Sequence, residues 1–463
     1  MPDRRPASLS LVATAVAGCV AMAVAMGLGR FAYTPILPAM MEELGFSAAQ
    51  AGVIASANYL GYLIGAILAI YGWADGRERV VALAALLLTV ILLFAMALAG
   101  SLIGFSLIRF LAGLASAFVM IFTSSIVLSV ARASGKPYLQ WAHFGGVGIG
   151  IAASALIVWL VGMVGGNWQT DWLSIGMLGL FGFLAVSLLL ARHPQGEQSG
   201  ASGSAAPDGQ NSVSAARLRQ RLFANVRFTR LPRKQESADG DLAPVSADEV
   251  AVRRYQDRPR STENRREPPL IWSPGLVAIT LAYGVFGFGY IVTATFLVAI
   301  VRSFEGGPSF EMLVWLLTGL VAAFSIMAWS PLATAFGPIR VMAVGCVVEA
   351  FGVAASVLLA LPAGPLVGGV LLGATFMMVT AYGLQAGSML AAASPRRAFA
   401  VMTAAFGTGQ IVGPLAAGIV VDETGTYMAA SLMAAAALIV AGILAMLAWR
   451  TSHDVLAGVA RQT

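Results

Sequence analysis

The chain has 463 residues; 58% are hydrophobic, 11% are charged, and 28 Lys and Arg against 22 Asp and Glu give a net charge of +6. Soluble globular domains carry about 25% charged residues, so the composition excludes an ordinary soluble enzyme. Its wealth of apolar residues likewise excludes disorder as the dominant state. Apolar runs longer than about 18 residues recur along the sequence, the mark of a polytopic membrane protein.

Six such runs are predicted before residue 192, at 9–34, 47–71, 80–100, 102–131, 142–164 and 172–191. Six more follow, at 273–301, 312–335, 339–361, 365–393, 397–421 and 426–449. Each is long enough to cross a hydrocarbon layer of about 30 Å as a helix. Helices are required because lipid offers backbone amides no partner, so the fold class is all-α. Ser47-Ala48-Ala49-Gln50 has the form of a capping box opening the second span. Ser394-Pro395-Arg396-Arg397 separates the tenth span from the eleventh.

Counting basic residues by loop sets the expected orientation. With the N-terminus inside, Arg4, Arg5, Arg77, Arg79, Arg132, Lys136, Arg340, Arg396, Arg397, Arg450 and Arg461 lie on the cytoplasmic side, and only Arg302 lies outside. Both termini are therefore expected in the cytoplasm. The first apolar run is too long, and lacks a small-residue cleavage site, for a cleaved signal peptide. Residues 192–270 are rich in Ser, Gly, Pro, Arg and Asp and read as a largely disordered cytoplasmic linker between two six-helix domains, 1–191 and 271–463. Within it, Ala215 to Arg230 mixes Leu218, Leu222, Phe223 and Val226 with arginines, so a basic helix on anionic lipid is an alternative to a solvated loop.

Several chemistries are not encoded. Cys19 and Cys346 both fall in apolar runs and form no disulfide framework. His143, His193 and His453 are too scattered for a metal cluster. No phosphate loop and no serine elbow is present. Gly27-x-Gly29-x-x-Ala32 lies inside an apolar span with no preceding strand, so it is no dinucleotide fingerprint. No cofactor, metal or catalytic residue is expected. Nucleic acid is not an expected partner either, because the basic residues lie between apolar segments rather than on one soluble face.

The halves echo each other. Gly27 and Gly29 recur as Gly287 and Gly289, Leu111 and Gly113 as Leu371 and Gly373, and Phe144-Gly145 as Phe406-Gly407, at offsets of about 260 residues. That pattern suggests a duplicated six-helix unit.

On these residues the chain resembles the major facilitator superfamily, and more narrowly its YbfB/YjiJ-like branch. The likeness is carried by Gly29-Arg30-Phe31-Ala32-Tyr33-Thr34-Pro35, Ala55-Ser56-Ala57-Asn58-Tyr59-Leu60-Gly61-Tyr62, Arg109-Phe110-Leu111-Ala112-Gly113, Gly287-Phe288-Gly289-Tyr290 and Phe406-Gly407-Thr408-Gly409-Gln410-Ile411-Val412-Gly413-Pro414. It implies twelve transmembrane helices in two pseudo-symmetric six-helix bundles, with the first, fourth, seventh and tenth lining a central cavity. The superfamily's Gly-x-x-x-Asp-Arg-x-Gly-Arg loop survives here only as Asp75 and Arg79, on which an inner-gate role falls.

Ionisable groups within spans default to functional candidates because they are costly in lipid. Arg109 lies about 12 Å into the fourth span, and Arg30 lies in the outer part of the first. Two guanidiniums at similar depth favour a carboxylate or phosphate. The alternative is that each bonds backbone carbonyls freed near Pro35 and Pro38. Glu349, about 15 Å into the ninth span, is a candidate proton carrier, although the resemblance puts that span in the outer ring. His143 and Arg109 are the other proton-coupling candidates. Tyr33, Asn58, Tyr59, Tyr283, Tyr290 and Gln410 are candidate substrate contacts, set against a role as glue between helices.

The reading is a secondary active transporter in the bacterial inner membrane. It moves a small organic, possibly anionic solute by alternating access, coupled to protons, and acts as a monomer. The rivals are a transporter-like sensor signalling through the central loop and an intramembrane lipid-modifying enzyme.

Overall fold

The computed structural model describes residues 6–191 and 268–452, apart from positions 70, 72, 75 and 137. Those residues hold twelve helices of membrane-crossing length and apolarity, and no strand. The first, α1, joins three pieces: an α-helix Pro6–Met22, a π-helical segment Ala23–Phe31, and a second α-helix Tyr33–Leu44. The other helices of the first half are α2 (Ala48–Ala69), α3 (Glu78–Met96), α4 (Leu102–Ser134), α5 (Tyr138–Met163) and α6 (Trp168–Ala191). The second half has α7 (Pro274–Ser303), α8 (Pro308–Phe336), α9 (Pro338–Leu358), α10 (Ala363–Leu390), α11 (Pro395–Thr424) and α12 (Tyr427–Thr451).

Local chemistry fixes most helix ends. α7, α8, α9 and α11 each begin on proline, whose missing N–H costs nothing in a first turn. The capping box forms: the Ser47 amide donates to Gln50 Oε1 (3.0 Å) and the Gln50 amide to Ser47 Oγ (3.3 Å). Gly45 and Gly425 end α1 and α11 in the left-handed conformation, with φ of 68° and 69°. The first span differs most from expectation, running to Leu44 instead of stopping near residue 34. Pro35 falls in the first turn of the restarted helix, where proline is tolerated, and Pro38 is absorbed inside it.

The internal repeat is visible in packing. Gly113 of α4 meets the Asn58 carbonyl of α2, and Gly373 of α10 meets the Thr318 carbonyl of α8, so both partners are separated by the same 260 positions. A side chain at either glycine would overlap that backbone, which explains the small residue at both. Phe181, Leu188, Phe351 and Ile443 on α6, α9 and α12 are exposed, as suits surfaces that meet acyl chains.

The halves touch along α2 with α11 and α5 with α8. Gly148 of α5 faces the backbone of Gly319 and Ala323 on α8, while Gly52 of α2 faces the Pro414 carbonyl of α11. The expected linker, including the 215–230 stretch, lies outside the described residues except for 268–270.

Candidate functional site

Between the halves lies a cavity of about 960 Å³. It begins at Arg30, Tyr290 and Gln410, each roughly halfway along its helix, and reaches Ala69, Ser388, Pro395 and Arg396 at helix ends. Those ends belong to the face that carries Arg77, Arg79, Lys136, Arg340, Arg396 and Arg397, here called the basic face. Among the described residues the wall contains no Asp or Glu.

Toward the opposite face the halves are stitched together. Thr34 Oγ1 donates to the Ala294 carbonyl (2.6 Å), and Ser56 Oγ donates to the Ile411 carbonyl (2.7 Å). Asp422, at the end of α11, accepts from the Ala48 and Ala49 amides at 2.9 and 3.1 Å, placing its charge at the positive end of α2. Arg302 bridges Glu42 (3.1 Å) and the buried Glu311 (2.7 Å). Trp159 Nε1 donates to Ser309 Oγ at 3.2 Å.

Arg30 sits on the π-helical segment and lines the cavity. Its guanidinium carbon lies 4.5 Å from the ring centres of both Tyr59 and Tyr62. These contacts hold the cation without neutralising it. Its Nε and Nη2 find no hydrogen-bond partner among the described residues, although the side chain is only 3% exposed.

Arg109 does something else. It is 1% exposed and forms no part of the cavity wall. Its Nη1 donates to the Gly29 carbonyl and its Nη2 to the Arg30 carbonyl, both at 2.8 Å, where the π-helix gives way to the next α-helix. Tyr33 lies under it, with ring centre 5.1 Å from the guanidinium carbon. Arg109 thus makes the contact of the alternative reading, a bond to helix-break carbonyls. Asn58 Nδ2 donates to the Arg109 carbonyl (2.9 Å), and Tyr33 donates to the Ala51 carbonyl (3.1 Å). Both brace α4 and α1 rather than the wall. Tyr59 stays behind Arg30, and Tyr283 donates to the Thr380 carbonyl at 3.0 Å, also outside the wall.

Of the sequence-predicted residues, the wall gathers Arg30, Tyr290 and Gln410. Gln410 donates through Nε2 to the Tyr290 hydroxyl, and its Oε1 has no partner. His143 is buried behind Ser124, which does line the cavity. Its Nδ1 lies 3.0 Å from the Gly18 carbonyl, which only accepts, so Nδ1 carries a proton; Nε2 meets Ser124 Oγ at 2.9 Å. Glu349 is fully buried between α9 and α10, away from the wall, with Oε2 at 2.9 Å from Thr375 Oγ1. Arg79 is half-buried in the first turn of α3, and Asp75 lies outside the described residues.

Sequence reasoning passed over much of the wall. Met22, Met26 and Met120 line it from the first half, and Phe376, Met377 and Phe406 from the second. Tyr62, three residues after Tyr59 and so on the same helical face, had a readable signal. Met and Phe had none, because they also serve on lipid-facing surfaces.

The family profile described as "Uncharacterised MFS-type transporter YbfB" matches residues 22–223 and 245–446. A search of functionally curated proteins returns no match. Among solved structures, a point mutant of the nucleoside transporter NupG superposes with a TM-score of 0.64 at 14% identity, covering 95% of this chain and all of that one. Unmutated NupG gives 0.61 at 15% identity, covering 95% of this chain and 99% of the other. A bacterial homolog of the human lysosomal transporter Spinster, inward-facing and unoccupied, gives 0.61 at 14% identity, covering 97% and 98%. These likenesses establish the fold, and the family match covers most of the chain. The chain belongs to the YbfB-type family of major facilitator transporters.

Proposed function

We propose that the chain carries a small organic anion across the bacterial inner membrane by alternating access, as a monomer with both termini in the cytoplasm. The observation that carries this reading is a cavity walled by both halves, with Arg30 in its wall and no acidic residue among the described residues that line it. The cavity reaches the basic face, which the positive-inside rule assigns to the cytoplasm, while hydrogen bonds between the halves close the other end. One chain supplies the whole wall, so a second copy is not required.

Proton coupling is assigned to Glu349. The Thr375 hydroxyl has one hydrogen and stands 2.6 Å from the Leu371 carbonyl and 2.9 Å from Glu349 Oε2. Glu349 Oε1 has no hydrogen-bond partner among the described residues. No ion pair reaches Glu349 among the described residues.

The test is a thermal-shift screen of purified protein against carboxylates, phosphate esters, neutral solutes and amines, because a ligand of the native state raises apparent stability. Anions should shift the melting curve of the native protein and not that of Arg30→Gln. A screen in which only amines or neutral solutes act, equally on both proteins, overturns the anion reading.

A further inference from the structure

Resting on the anion reading above, we infer that the site selects flat, aromatic carboxylates over saturated ones of the same size. The second-half wall is built from parallel rings. Tyr290 and Phe406 lie 7° from parallel with centres 5.6 Å apart, and Tyr290 and Phe376 lie 7° from parallel at 6.0 Å. All three rings line the cavity. Behind them the array continues through Phe286, 16° from Tyr290, and Tyr283, 19° from Phe406. Five rings from α7, α10 and α11 thus share one tilt. Aromatic rings prefer such offset stacks, and three members of this one line the cavity.

The facing wall fits the same guest. Met22, Met26 and Met120 line the cavity from α1 and α4. Sulfur packs favourably against aromatic rings, and the unbranched side chains adjust to different outlines. Arg30 lines the cavity from the first half and supplies the positive charge that a carboxylate needs. A flat ring seated between the aromatic array and the methionines, with its carboxylate on Arg30, uses every one of these features. A saturated ring keeps the carboxylate bond and loses the stack.

The experiment measures dissociation constants of 2-naphthoate, its fully saturated decalin counterpart and neutral 2-naphthyl methanol by equilibrium dialysis, on full-length protein in detergent. Native protein should bind 2-naphthoate about 10-fold more tightly than the saturated acid, the expected scale for two ring contacts. Phe376→Leu and Phe406→Leu should each shrink that ratio while the affinity for the saturated acid holds, which also shows that the variants are folded. Arg30→Gln should abolish the advantage of 2-naphthoate over the neutral alcohol. Equal or better binding of the saturated acid by native protein overturns the aromatic preference and leaves the anion reading standing. Equal binding of alcohol and acid, or binding of neither acid at millimolar concentration, overturns both.

Discussion

Gly52→Leu is the sharpest probe of alternating access. A Cβ at position 52 would overlap the Pro414 carbonyl oxygen and lie 2.9 Å from its carbon. Both are backbone atoms of α11, so no rotamer relieves the clash, and α2 and α11 must separate. Overpacking of this kind costs about 1–3 kcal/mol. The cost applies only to the conformation in which these helix ends touch. The equilibrium between closed and open states of that face should therefore shift roughly 5- to 150-fold toward open. Spin labels at Glu43→Cys and Glu423→Cys, both exposed positions at that face, would report the separation by pulsed dipolar spectroscopy. Native Cys19 is part-buried and Cys346 buried, and both are replaced for the measurement. The expected result is a second, longer distance population in Gly52→Leu. Gly162→Leu is the control, since a side chain there meets open space. An unchanged distance distribution in folded Gly52→Leu would refute the reasoning.

Three other expectations follow from named contacts. Arg109→Gln removes two charge-assisted bonds to α1, and at the low end of such bonds the loss of stability is about 3 kcal/mol, read by chemical denaturation. Arg109→Lys should not restore it, because an ammonium cannot reproduce the fork. Glu349→Gln should keep the fold and the exchange of solute down its gradient, while uptake loses its acceleration by an imposed pH difference; acceleration equal to that of the native protein would remove Glu349 from coupling. Asp422→Ala strips the charge from the start of α2 and should move the same spin-label populations roughly 2- to 5-fold toward open, by the usual strength of a charge at a helix end.

How much was legible in the sequence differs from feature to feature, and the reason is physical. The twelve spans were readable because lipid leaves a crossing backbone no option but the helix, so apolar length alone locates each one. The capping box at Ser47 was readable because it is a contact between residues three apart. The end of α1 was not, because Pro35 and Pro38 look like stops until the π-helical segment restarts the helix just ahead of them. The two arginines separate the cases further. Both announce themselves as charges in an apolar run, but rotation about the helix axis decides whether a side chain faces a crevice or a neighbouring backbone. That rotation is set by packing between residues about 80 positions apart, such as Arg109 with Gly29. Arg302 illustrates the same limit. Counting loops assigns it a side of the membrane and gives no hint that Glu42 and Glu311 converge on it.

The central claim is that this cavity opens alternately to the two sides of the membrane. Solute counterflow tests it most directly, using the anion with the largest thermal shift. Proteoliposomes loaded with unlabelled anion are diluted into a trace of labelled anion with no ion gradient. A carrier accumulates label transiently above its outside concentration and then loses it, and Arg30→Gln should abolish the overshoot. Label that only equilibrates, or that enters equally fast through Arg30→Gln protein, would contradict the account.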